Sequence, residues 1–138
     1  SKYVTFFLAA LDPATGRLDF VNAGHNPPLL VRASGEVDKL TAGGLVLGIF
    51  EGVSYEGGST EMRKGDTLVV YSDGVTETWD PDGEEFGEDK LIAFAVSGRA
   101  NGAEAVQRAI LHEIERFEQG ARATDDRTLV VLKREAGA

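Results

Sequence analysis

Hydrophobic positions fall into short runs punctuated by Gly, Pro and Asp through the first half of the chain, and take up a helical rhythm only later. Residues 3–11 are apolar on both faces, the pattern of a central strand. Residues 12–16 read as a turn, with Pro13 presetting φ and Gly16 closing it. Residues 17–23 alternate, Leu18, Phe20 and Asn22 against Asp19 and Val21, which predicts a hairpin partner for the first strand. The segment 24–28 breaks the ladder, because Pro27 and Pro28 bring no donor. A second hairpin is predicted from 29–32 and 37–40 around the turn 33–36. Residues 45–50, after Gly43-Gly44, form an apolar loop or short strand. Residues 53–62 read as a weaker strand interrupted at Gly57-Gly58, a natural place for a bulge.

The run 67–71 is short, continuous, β-branched and bounded by turn residues, so it reads as a buried strand. Asp73 falls where that strand leaves the sheet, and Gly74 lets the backbone turn away without a Cβ clash. Helical patterning follows. In 86–96, Leu91, Phe94 and Ala95 lie near one face. In 103–117, Val106, Ile110, Ile114 and Phe117 recur every three to four residues, and Gly120 ends the helix. Asp125-Asp126 leads into a final strand, 127–133. Strands first, then helix, helix, strand, predict an α+β fold of layered antiparallel sheets with helices segregated to one side.

The 138 residues suffice for one domain with a real core. No apolar run approaches the length of a membrane span. There are no cysteines, which excludes disulfides, zinc–thiolate sites and a cysteine nucleophile and fits the cytosol. A net charge of −9 argues against nucleic acid or an anionic membrane as partner, and is compatible with divalent cations.

Two acidic strand termini, Asp73 and Asp125, suggest one shared site for a hard metal ion, since a sheet fixes such carboxylates rigidly. Spacing alone does not choose between Asp125 and Asp126. Glu77, close after Asp73, is a further candidate ligand against simple solvent exposure. His25 is a candidate ligand or general acid, against the commoner role of a turn histidine bonded to local backbone. The acidic stretch 80–86 fails the EF-hand template, its glycine standing fourth rather than sixth, and reads as an exposed turn. Gly43-Gly44 and Gly57-Gly58 lack the strand–loop–helix context of phosphate cradles and read as flexible turns. Trp79 and Phe86 offer a docking surface or, more commonly, a lid over the helix layer.

Four segments, in order and in register, carry a resemblance. They are 65–77 (Gly-Asp-Thr-Leu-Val-Val-Tyr-Ser-Asp-Gly-Val-Thr-Glu), 20–27 (Phe-Val-Asn-Ala-Gly-His-Asn-Pro), 44–48 (Gly-Leu-Val-Leu-Gly) and 123–131 (Ala-Thr-Asp-Asp-Arg-Thr-Leu-Val-Val). Together they resemble the bacterial metal-dependent serine/threonine phosphatases of the SpoIIE-like branch of the PPM (protein phosphatase 2C-like) superfamily. The likeness implies a site in which two Mn²⁺ or Mg²⁺ ions activate a water that attacks phosphoserine or phosphothreonine, and it favours Asp73 and Asp125 as ligands. Gly74 and Asp126 become their neighbours in that site. It implies as substrate a phosphorylated regulatory protein of the anti-sigma-factor-antagonist type.

The family's Gly-Asp-x-x-Asp and Asp-Val-Ser-Gly-x-Gly segments have no counterpart in this sequence. The chain is therefore expected to be the C-terminal two-thirds of such a domain and inactive alone. A non-catalytic interaction module with the same fold is the alternative. Loss of N-terminal strands would leave an unpaired edge and bare apolar surface on 3–11, so a homodimer or strand swap is expected.

Overall fold

The computed structural model describes residues 2–120 and 126–135. The alternation in the second run becomes β2 (Arg17–Ala23), which pairs antiparallel with β1 (Phe6–Leu11) from Phe6↔Ala23 to Leu11↔Leu18. Leu18, Phe20 and Asn22 turn inward, as the pattern predicts. The next hairpin, β3 (Leu29–Val31) and β4 (Val37–Lys39), belongs to a different sheet. That sheet runs β4-β3-β7-β8, all antiparallel, with β7 (Thr67–Tyr71) and β8 (Leu129–Lys133) in register from Thr67↔Lys133 to Tyr71↔Leu129. Short strands β5 (Gly43–Gly44) and β6 (Gly58–Glu61) complete the first sheet along the far side of β2.

Leu18 and Phe20 of the first sheet meet Leu30 and Leu68 of the second, with Met62 and Leu40 closing the layer between them. Residues of opposite parity on the second sheet, Leu29, Val31, Val69, Tyr71 and Leu129, face the helices. These helices are α2 (Gly87–Ser97) and α3 (Ala103–Glu118), which follow the single helical turn α1 (Asp73–Thr76). Val106, Ile110 and Ile114 of α3 are fully buried, each worth about 1.5–3 kcal/mol in apolar transfer. The result is a sheet–sheet–helix stack, the α+β layering expected from the order of elements.

Four local expectations are corrected. First, residues 3–11 do not form a central strand: β1 pairs only with β2 among the described residues, and its faces differ. Phe7, Ala9 and Leu11 pack inward, while Phe6 and Leu8 stand about half exposed, Leu8 at 59%. Second, Gly43-Gly44 is no flexible turn but a parallel partner of Asn22-Ala23. A Cβ on Gly43 would lie 1.7 Å from the Asn22 carbonyl oxygen, so glycine is required for close backbone approach. Third, only Gly58–Glu61 of the predicted strand 53–62 is regular; of the two readings of 45–50 the loop is the one observed, tied by a bridge between Val4 and Leu47. Fourth, Phe86 is core, edge-on to Phe117 at 5.4 Å, whereas Trp79 remains exposed.

One ionic cluster locks the two sheets together. Arg32, just after β3, donates to Asp66 Oδ2 at 2.8 Å and to Thr60 Oγ1 at 3.2 Å on β6 of the other sheet. Asp66 also accepts the backbone N–H of Ala33 at 3.0 Å and of Arg63 at 2.8 Å.

A second cluster joins the helix layer to β7. The buried Tyr71 hydroxyl donates to Glu88 Oε2 at 2.9 Å, and Lys39 pairs with Glu88 Oε1. The Lys39 hydrogen bond chiefly holds the Glu88 carboxyl below its ordinary 4.5, with the Tyr71 bond adding to it against the opposing effect of burial. Burial, and then the Glu88 bond, push the Tyr71 hydroxyl well above its ordinary 10.0. Tyr71→Phe is expected to cost about 1.5 kcal/mol near neutrality, the low end for a charge-assisted bond. A carboxyl depressed by folding stabilises above its unfolded pKa and loses that contribution as pH falls through its folded one. A phenol raised by folding loses its contribution as pH climbs past 10. Urea unfolding across pH should therefore show the wild-type advantage level between about pH 5 and 9 and narrowing on both sides. A pH-independent difference would contradict the assignment.

Candidate functional site

Strand β7 ends at Tyr71, and the chain does not simply turn away there. Ser72 is extended (φ −94°, ψ 167°), and Asp73 opens α1, whose bonds run from Val75 N–H to the Ser72 carbonyl and from Glu77 N–H to the Asp73 carbonyl. The strand exit predicted at Asp73 is thus a helical turn. Gly74 is needed for space rather than for turning: its Cβ would sit 1.9 Å from the Asp126 carbonyl oxygen. Ser72 stitches β7 to the segment entering β8. Its N–H donates to the Thr128 carbonyl at 3.0 Å, its Oγ accepts from Thr128 N–H at 2.9 Å, and its hydroxyl donates to the Asp126 carbonyl at 3.4 Å.

The turn after β2 approaches from the other sheet. Asn22, buried, donates through Nδ2 to the Leu40 carbonyl at 3.2 Å and accepts the His25 N–H at 2.8 Å. The His25 ring then spans the gap between sheets. Its Nε2 donates to the Tyr71 carbonyl at 3.1 Å, because a carbonyl can only accept, and its Nδ1 pairs with Thr5 Oγ1 at 3.2 Å. His25 is therefore neither bonded to local backbone nor offering a nitrogen to a ligand; it clamps the end of β7. Asn26, the next residue, donates through Nδ2 to Asp73 Oδ1 at 2.6 Å.

These elements enclose a cleft of about 260 Å³ lined by Thr5, Gly24, His25 and Asn26 from one side and by Ser72, Asp73, Gly74, Asp126 and Thr128 from the other. Of the candidates, Asp73, Gly74, Asp126 and His25 are brought together. Glu77 caps α1 and does not line the cleft. Asp125 lies outside the described residues. Thr5, Asn26, Ser72 and Thr128 were not singled out by sequence reasoning. Asn26 and Ser72 stand inside quoted motifs, but their partners lie 47 and 56 residues away, so no local pattern announces them.

Oxygen donors of this kind suit a hard divalent cation, and Asp73 supplies an exposed carboxylate with one oxygen already oriented. Among the described residues no three His, Cys, Asp or Glu side chains come together as a metal-binding group. The oxygen-rich lining suits such an ion in kind, and Asp73 and Asp126 are the acidic residues that line it.

Comparison with known proteins identifies the fold and the family. The RsbU and RsbW domains of Rv1364c from Mycobacterium tuberculosis share the fold with a TM-score of 0.75 and 27% identity, covering 97% of this chain and 37% of that one. The phosphatase domain of SpoIIE from Bacillus subtilis, presoaked with Mn, matches with a TM-score of 0.74 and 22% identity over 97% of this chain and 58% of that one. The fold is that of PP2C-like phosphatase domains. A family model described as stage II sporulation protein E (SpoIIE) matches residues 1–135, and the chain belongs to the SpoIIE family. Phosphoserine phosphatase RsbU of Bacillus subtilis is 31% identical over 137 residues, spanning 97% of this chain and 40% of that protein. The chain spans less than half the length of the curated relatives it matches. Among the described residues no helix is long and apolar enough to cross a membrane.

Proposed function

We propose that the chain is the C-terminal part of a metal-dependent protein-serine/threonine phosphatase domain that acts in the cytoplasm on a phosphorylated regulatory protein. The observation that carries this reading is convergence. Three motif segments distant in sequence meet at one oxygen-lined cleft, and in the fourth Val46 lies against Gly24 at its rim. Asp73 and Asp125 would hold Mn²⁺ or Mg²⁺ there. A bound pair of such ions would supply a water of lowered pKa and neutralise phosphoryl oxygens. The chain's own residues shape the place: His25 anchors the end of β7, the Ser72–Thr128 bonds hold the two acidic segments side by side, and Asn26 orients Asp73. RsbU is by name a phosphoserine phosphatase, which supports phosphoserine as the substrate group; a regulator of the anti-sigma-factor-antagonist type is what the motif resemblance implies.

Phosphate release from a phosphoserine protein in the presence of Mn²⁺ by the intact domain of which this chain is proposed to be a part, lost in Asp73→Asn, tests the reading. Release unaffected by that substitution would sink it. The rival reading is a non-catalytic interaction module with the same fold. An intact domain that binds a phosphoregulator without ever releasing phosphate would establish the rival.

The exposed apolar residues before and on β1 (Tyr3 at 60%, Leu8 at 59%) and in the loop after β5 (Phe50 at 57%) are expected to be covered by a second copy of the chain. Sedimentation should then show dimer increasing with concentration. A monomer at all concentrations would refute the pairing.

A further inference from the structure

We propose that Asn26 is a positioning residue for Asp73: its amide fixes the carboxylate so that the remaining oxygen faces the cleft. The proposal rests on the reading of Asp73 as a metal ligand. A carboxylate on a short, exposed side chain rotates broadly about its last torsion. Asp73 sits at the exposed start of a four-residue helix, where packing does not restrain it. The 2.6 Å bond from Asn26 Nδ2 ties down Oδ1 and leaves Oδ2 available.

Asn26 can do this because its own place is held from several directions. The backbone before it is pinned through His25 N–H to the buried Asn22, and Asn22 is in turn fixed to the Leu40 carbonyl. The His25 ring is anchored at both nitrogens, one of them on the last residue of β7, two positions from Asp73 itself. Pro27 and Pro28 then restrict the chain that follows. Three sequential polar residues, Asn22 by its side chain, His25 by its ring and Asn26 by its amide, thus form a stiff arm from the first sheet that ends on the carboxylate of the second.

The chemistry of the donor matters as much as its position. A lysine or arginine there would neutralise Asp73 and compete with a cation for it. An amide orients the carboxylate while leaving its full negative charge to the ion, the role that hydrogen-bonding neighbours of metal ligands play in general.

The test is a calorimetric Mn²⁺ titration of the chain beside Asn26→Ala, Asn26→Leu and Asp73→Asn, with metal-free melting measured for each. Leu keeps the approximate shape of Asn without its donor. The expected result is a ten- to hundredfold loss of Mn²⁺ affinity in both Asn26 variants, the usual range for losing such a neighbour, with melting temperatures within about 3 °C of wild type. Affinity equal to wild type in both variants overturns the proposal. So does a loss that appears only together with a large fall in melting temperature, since that marks a structural role. Loss of binding in Asp73→Asn with none in the Asn26 variants removes this assignment alone. No Mn²⁺ uptake by the unsubstituted chain, or full uptake by Asp73→Asn, removes the ligand reading and this assignment with it.

Discussion

Asp73→Asn is expected to lower Mn²⁺ affinity by at least about a hundredfold, beyond the range seen for losing a ligand's neighbour, while leaving the fold intact. The substitution removes a negative charge and keeps the shape. The Asn carbonyl oxygen can still accept from Asn26, so the 2.6 Å contact has a surviving acceptor. The residue is exposed, and substitutions at exposed positions usually change stability by no more than about 0.5 kcal/mol. What disappears is the anionic oxygen that a hard cation requires. Asp125→Asn is the companion experiment: equal losses in both place the two residues at one site, and a loss in Asp73→Asn alone leaves Asp125 without a ligand's role. If calorimetry finds Asp73→Asn binding as well as the parent chain, Asp73 is a turn residue and the cleft needs another explanation.

The largest effect on stability is expected from Asp66→Ala, at about 3–5 kcal/mol in urea unfolding, the cost of breaking a buried ion pair from one side. The Asp66 side chain is 3% exposed and that of Arg32 is 13%. Removing the carboxylate strands the guanidinium beside Thr60 and two backbone N–H groups, those of Ala33 and Arg63. Asp38 still pairs with Arg32 from the solvent side, which limits the loss. Asp66→Asn should cost less than Asp66→Ala, because one amide oxygen can still accept from the backbone. Replacing Arg32 and Asp66 together with apolar residues should remain destabilising, since the two backbone donors would stay unanswered. A double variant as stable as wild type would show that neither the ion pair nor the two backbone bonds to Asp66 adds net stability. Against a total stability of about 5–15 kcal/mol for a domain of this kind, the single substitution removes a large share.

The strands and helices were legible because their periodicities are local. Leu18, Phe20 and Asn22 announce the inward face of β2, and Val106, Ile110 and Ile114 that of α3, from sequence alone. The position of Asp73 at the end of β7 was legible too, since a β-branched run ending in Ser-Asp-Gly has few alternatives. Its entry into a helical turn was not, because that depends on Ser72 being engaged by Thr128 across the sheet. β1 was misread as central since Phe6 and Leu8 look the same to a pattern whether or not something covers them. Gly43-Gly44 was misread as flexible because a glycine demanded by close approach and one permitting a turn are identical in sequence. Nothing local to Asp66 announces its partner Arg32, which lies 34 positions earlier. For Asn26, the motif gave the place but not the task.

The cleft has one wall on each sheet. Asn26 and the His25 ring sit in the connection 24–28 that carries the chain from β2 of the first sheet to β3 of the second, and from there they reach Asp73 and Tyr71. The site is therefore a vernier for the alignment of the sandwich. A slip of one sheet over the other by about 1 Å would carry the Asn26–Asp73 contact out of hydrogen-bonding range, with every strand still paired and every core residue still buried. Whatever grips the exposed face of β1 takes hold of the sheet that carries this arm, so a grasp far from the chemistry could be felt as a carboxylate released to rotate.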